Sequence, residues 1–168
     1  RDAKGLARLL RSSKPAYPNR VLNLETGSLA AEAALKMLLA RFYKPQDDSP
    51  KPKYRGKIPV IVVIGDFDGG IRANYHGTTM LTQMQRGMWD DLRAGMEKQG
   101  LYVIRAVRPN HNVELEWVFD EFDRGKYKIA GLFHEIVLMN YAGKTLDPKF
   151  VKRMYALCKR HDVPTVVD

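Results

Sequence analysis

Apolar positions along this chain change their period several times, and each change marks an element. Leu6, Leu9 and Leu10 share one helical face, which predicts a short helix over 2–12. Pro15 and Pro18 then open a loop that leads into the apolar run 21–24. Residues 29–43 are dense in Ala, Leu and Met, all good helix formers, and Thr26-Gly27-Ser28 stands where a helix start belongs. Residues 44–57 hold Pro45, Pro50 and Pro52 without any period, and read as an exposed Pro-rich insertion. Residues 58–64 are β-branched almost throughout, as a strand buried on both faces requires, and 65–70 end it in a Gly-rich turn.

The second half repeats this alternation. Thr78 or Thr79 starts one long helix to about Gln99, closed by Gly100. A strand follows over 101–107. Asn112 caps a helix from Val113 to about Arg124, stopped by Gly125, and a strand covers 128–138. Asp147-Pro148 is a good N-cap and first-turn pair for a helix reaching about His161, and 164–167 form a last strand. Strands alternating with helices imply parallel strands joined by right-handed crossovers. The fold class is therefore α/β: a layered, mostly parallel sheet flanked by helices. No repeat, coiled coil or low-complexity run interrupts it.

Composition refines this picture only in places. The 168 residues lie within the range of one domain, and 45% hydrophobic with 28% charged residues is an ordinary globular balance. The longest apolar stretch, 58–64, is broken by Pro59 and is far too short to span a bilayer, so no membrane partner is expected. The single Cys158 has no partner for an internal disulfide and falls on the buried side of a helix, which points to a structural thiol in a reducing, cytoplasmic compartment. Net charge is +9, but the basic residues are scattered: Lys51, Lys53, Arg55 and Lys57 in one loop, Lys149, Lys152, Arg153, Lys159 and Arg160 on one helix. No zinc-finger spacing, basic zipper or aromatic-basic RNA-binding signature accompanies them. Solvated faces and attraction for anionic ligands explain them better than a basic nucleic-acid-binding module does.

Four places have residue types suited to chemistry. The turn Glu25-Thr26-Gly27-Ser28-Leu29-Ala30 runs into a helix, where backbone N–H groups and the positive end of the dipole favour an anion. Gly27 lets a phosphate approach and Ser28 adds a hydroxyl; an ordinary Ser N-cap would look the same. Asn74-Tyr75-His76-Gly77-Thr78-Thr79 sets an aromatic ring and an imidazole beside Gly, as stacking on a flat ligand would need, or as a surface loop with a capping Thr would also show. Glu135, in an otherwise apolar strand near its C-terminal end, is a carboxylate whose burial requires a partner; His134 beside it points to the opposite face and reads equally as a core histidine. Asp168 follows the strand at 164–167, where an acid can meet a cationic ring nitrogen or simply sit at the surface. No pattern of metal ligands is present.

The order of these four places resembles class III aminotransferases of the pyridoxal-phosphate (PLP) fold type I group. The family's small-residue turn and helix are matched by Thr26-Gly27-Ser28-Leu29-Ala30-Ala31-Glu32-Ala33-Ala34-Leu35-Lys36, its aromatic-His-Gly-x-Thr step by Tyr75-His76-Gly77-Thr78-Thr79, and its strand-borne Glu by Glu135. Residues 148–168 look like the family's approach to the Asp that pairs with the pyridine nitrogen. Departures are Leu29 for the usual Glu, Ile136 for the usual Pro, Asn140 about where many members carry a second Glu, and the longer stretch over 44–64.

The resemblance implies part of the large domain of a PLP-dependent transferase, with PLP as cofactor. Gly27 and Ser28 would bind its phosphate, Tyr75 would stack on the ring with His76 beside it, Asp168 would keep the ring nitrogen protonated, and Glu135 would order the substrate side. It further implies an amino acid or amine donor, a keto-acid or aldehyde acceptor and a homodimer. The cofactor-binding lysine and the small C-terminal domain of the family have no counterpart here. The chain is thus expected to be a cofactor-binding fragment that is inactive alone, cut from an active parent. A non-catalytic α/β domain holding a phosphate or nucleotide at the Thr26 turn is the alternative.

Overall fold

The computed structural model describes residues 22–65, 79–87, 89–139 and 141–168. The helix expected over 2–12, most of the turn at 65–70, Tyr75, His76 and Asn140 lie outside the described residues. The elements are α1 (Gly27–Leu39), β1 (Ile58–Ile64), α2 (Met80–Gln85), α3 (Asp90–Lys98), β2 (Val103–Val107), α4 (Asn112–Phe122), β3 (Tyr127–His134), β4 (Val137–Leu138), β5 (Lys144–Thr145), α5 (Pro148–Arg160) and β6 (Thr165–Val167).

Four strands form one sheet in the order β2-β1-β3-β6, and every pairing in it is parallel. The β-branched run of β1 explains its central place, since both its faces are buried. Side chains alternate across the pleat: Val60, Val62 and Ile64 pack with Leu115 and Phe119 of α4 and Phe150 and Met154 of α5. Ile61 and Val63 pack on the other face with Leu35 and Leu38 of α1 and Met84 of α2. Both faces of the sheet are therefore covered by helices, as α/β layering demands.

β3 carries an irregularity that suits this arrangement. Its register with β1 shifts between Val60 and Ile61, so that Val60 pairs with Ile129 and Ile61 with Gly131. A Cβ at Gly131 would stand 2.4 Å from Leu38 Cδ1, so glycine lets α1 lie close against the strand.

Several boundaries differ from the sequence expectation. The single helix over 79–99 is two helices, because Gly87 and Trp89 take left-handed backbone (φ 76° and 50°) between them. The strand over 128–138 ends at His134; Val137–Leu138 turns away to pair antiparallel with Lys144–Thr145. The α4 cap is His111, whose Nδ1 accepts from Glu114 N at 3.2 Å, rather than Asn112. Asp147 does occupy the N-cap of α5, with Pro148 in the first turn, but its side chain makes no capping bond; its amide donates to Asn110 Oδ1 at 2.8 Å. The segment 44–57 forms no helix or strand and is mostly exposed, with Pro52 buried and Tyr54 half-buried.

Candidate functional site

In a parallel sheet all strands end at one edge, and ligands of open α/β sheets bind there. Three of the four sequence-derived places reach that edge. β3 ends at His134, with Glu135 next. β6 ends at Val167, with Asp168 next. The register pairs Phe133 with Val166 and His134 with Val167, and the Asp168 amide donates to the His134 carbonyl at 3.0 Å. Carried one residue further, the same register sets Asp168 beside Glu135.

Above this edge lies the amino end of α1. Thr26 is extended (φ −139°, ψ 158°); its Oγ1 accepts from Leu29 N at 3.2 Å and its carbonyl from Ala30 N at 3.1 Å. The cap is therefore Thr26, not Ser28. Gly27 and Ser28 form the first turn, where the dipole's positive end lies, and a Cβ added to Gly27 would meet nothing within 4 Å. The backbone there is open to an approaching group.

A small cavity of about 100 Å³ joins the two features. Ala30 and Ala31 of α1 form one wall, Phe133 and Val166 the sheet side, and Val167 and Asp168 the far end. Asp168 thus shares a cavity with the first turns of α1, although Gly27 and Ser28 themselves lie outside its lining. The small side chains of Ala30 and Ala31 leave this room; the sequence offered them only as helix formers.

Glu135 is buried, and its Oε2 accepts from the Met139 amide at 3.1 Å, folding the carboxylate back on its own loop. His134 is fully buried and faces α5, where its Nε2 lies 3.0 Å from the Tyr155 hydroxyl. Burial raises the Tyr155 hydroxyl above its ordinary pKa, so it stays protonated against the imidazole. The two residues thus engage different surroundings, a local loop and a packed helix.

Tyr75 and His76 lie outside the described residues, but the end of their motif does not. Thr79 Oγ1 donates to Glu32 Oε2 at 2.5 Å and lies 2.9 Å from Thr82 Oγ1. Glu32 also faces Lys36 one turn on, at 3.5 Å. This bond ties the helix of the first motif to the start of α2, directly after the second. Sequence reasoning gave Glu32 no role, although an acid inside an Ala-rich helix was the available signal. Among the described residues no group of three or more His, Cys, Asp or Glu is placed to hold a metal ion, and no helix is long and apolar enough to cross a membrane.

No family model matches the chain, and no curated protein matches it by sequence. Solved structures do match it. The ornithine aminotransferase of Toxoplasma gondii, solved with partial occupancy of PLP at its active site, gives a TM-score of 0.61 at 20% identity over 99% of this chain and 33% of its own. The chain has an α/β fold like that of the aminotransferase large domain. The N-acetylornithine aminotransferase of Stenotrophomonas maltophilia K279a gives 0.58 at 21% identity, covering 99% of this chain and 32% of its own. The PMP-bound aminotransferase of Vibrio fluvialis gives 0.59 at 20%, covering 99% and 36%. At these identities the likeness is one of fold, that of the aminotransferase large domain. The chain spans about a third of the length of these aminotransferases.

Proposed function

We propose that this chain is the cofactor-binding part of a class III, PLP-dependent aminotransferase. In its longer form the protein acts on an amino acid or amine, passes the amino group to a keto acid or aldehyde, and works as a homodimer. One observation carries the reading: Ala30 and Ala31, just inside the amino end of α1, and Asp168 line the same cavity at the carboxyl edge of a parallel sheet. Such a site suits a ligand that is anionic at one end and cationic at the other.

PLP has that polarity, and when bound it supplies an electron sink for bond cleavage at the carbon bearing the amino group. The residues present fit it. Gly27 and Ser28 hold the phosphate on the first turn of α1, where a Cβ at Gly27 would find open space. Asp168 holds the proton on the ring nitrogen. By the family resemblance, Tyr75 would stack on the ring with His76 beside it, and Glu135 would order the substrate side. The bond between Glu32 and Thr79 ties the helix that would bind the phosphate to the start of α2.

A phosphate or nucleotide bound at the Thr26 turn without catalysis is the second reading. The Asp168 carboxylate at the other end of the cavity works against a purely anionic ligand there.

The test uses the longer polypeptide and equilibrium dialysis with PLP. Gly27→Ala, whose Cβ meets nothing within 4 Å and so leaves the fold intact, and the bulkier Gly27→Val should both weaken binding, Val at least tenfold. Asp168→Asn removes a charge-assisted bond worth about 1.5–3 kcal/mol, a loss of roughly ten- to a hundredfold. No PLP binding, or equal affinity in all variants and the parent, defeats the proposal. Nucleotide binding abolished by Gly27→Val, without any PLP dependence, favours the second reading.

A further inference from the structure

A recess of about 400 Å³ lies beside the 44–57 segment, lined by Phe42, Tyr43, Lys44, Pro52, Arg55 and Gly56. Its size falls in the range of about 300–1,000 Å³ typical of small-molecule sites. Gly56 stands two residues ahead of β1, and all four strands are parallel, so the recess is at the amino edge of the sheet. Asp168 is at the opposite edge. We propose that this recess is a second binding site, for a flat ring that carries an anionic group.

Its walls are aromatic and held in place. The Tyr43 hydroxyl donates to the Leu101 carbonyl, which fixes a ring that is still 44% exposed. Phe42 packs on Tyr54 with ring centroids 5.5 Å apart, and Tyr54 is itself anchored through its hydroxyl to Asp162. Pre-set walls lose little freedom on binding, which favours a rigid planar guest. Gly56 has φ +86° and nothing within 4 Å of where a Cβ would be, so the far side of the recess stays open.

Its rim is cationic. Lys44 and Arg55 both border it and no acidic residue lines it. Lys44 Nζ donates to the Asp47 carbonyl at 2.9 Å, which steadies the ammonium without neutralising it. The Arg55 side chain has no acidic partner among the described residues. Free phosphate would satisfy the rim alone and leave the apolar floor wet. A ring bearing a phosphate or carboxylate satisfies both, through stacking on Tyr43 and charge pairing with Arg55. Two sources share this chemistry, a nucleotide and an aromatic carboxylate.

The experiment is calorimetric titration of the longer polypeptide, saturated with PLP, using AMP, benzoate and inorganic phosphate as separate probes. AMP or benzoate should bind, and whichever does identifies the source. Arg55→Glu and Lys44→Glu, both at exposed positions, should each weaken that probe at least tenfold without moving the melting temperature. Tyr43→Ala should weaken it similarly while Tyr43→Phe keeps most of the affinity. The proposal is overturned if neither ring probe binds up to millimolar concentration, or if the charge reversals leave affinity unchanged. It is equally overturned if inorganic phosphate binds as tightly as the ring compounds, since the aromatic walls would then contribute nothing.

Discussion

Gly131 sits at the irregularity of β3, where α1 comes closest to the sheet. A Cβ there would lie 2.4 Å and 2.9 Å from the two methyls of Leu38 and 3.2 Å from its Cγ. Leu38 is buried, so it has little room to move aside. Gly131→Ala should therefore destabilise the fold by about 1–3 kcal/mol, the usual penalty of overpacking, and pairing it with Leu38→Val should relieve part of the added strain; urea titration reads both. Cys158 gives a second residue-scale expectation. Burial pushes its thiol up to about 12, so almost no thiolate exists at neutral pH. A thiol reagent such as DTNB should label it only as the protein unfolds; rapid labelling of the native protein contradicts the packing. Its burial was readable from the sequence, since Cys158 follows Met154 and Leu157 at helical spacing. The closeness at Gly131 was not, because no local pattern records which helix will cross a strand.

At the scale of elements, the 44–57 segment is joined to the end of α5 by one acid. Asp162 Oδ2 accepts from Lys53 Nζ at 2.6 Å and from Arg41 Nη2 at 2.6 Å, and also from the Tyr54 hydroxyl. The Lys53 bond, then the Tyr54 bond, lower its carboxyl from 3.8 to about 2. A depressed folded-state value means that the contribution is present above the unfolded pKa and is lost as pH falls from about 4 to about 2. The side chains are largely solvated, so global stability should change little, within the about 0–1 kcal/mol of exposed ion pairs. Local anchoring should change more. Asp162→Asn is expected to speed tryptic cleavage at Lys53 or Arg55 several-fold in the otherwise native protein, read by limited proteolysis. Unchanged cleavage would show that Pro52 and Tyr54 hold the segment by packing alone. This clamp escaped the sequence reading because Asp162 is over a hundred residues from its partners. The split between α2 and α3 was closer to legible: Gly87 could break a helix, and Asp90-Asp91 are good first-turn residues, yet the apolar period ran through both.

Across the whole molecule, two apolar layers share one sheet, and the layer under α1 also walls the candidate site. Phe133 is fully buried in that layer and lines the cavity with Ala30, Ala31 and Asp168. Phe133→Ala should cost about 3–5 kcal/mol, a large share of the about 5–15 kcal/mol that holds a domain together. The loss should lower the urea midpoint and, through the loosened α1, weaken the anion binding proposed for Gly27. A shift below about 1 kcal/mol would mean that the cavity wall collapses onto the space left behind. The α/β class followed from the sequence alone, because a β-branched run buried on both faces, followed by alternating helices and strands, can be covered in few other ways. Strand order was a tertiary outcome: β1 lies between β2 and β3 through pairings that no local period encodes.

The chemistry divides the same way. Composition and motif order by themselves determined the fold class, the presence of a helix after the Thr26-Gly27-Ser28 turn and the residues worth testing, since propensity and apolar period act over a few neighbours; that Thr26 and not Ser28 caps it was a structural result. Only the tertiary structure decided that Asp168 shares a cavity with Ala30 and Ala31, that Glu135 folds onto Met139, and that Thr79 bonds Glu32. Those are distances between residues far apart in the chain, set by how the layers pack.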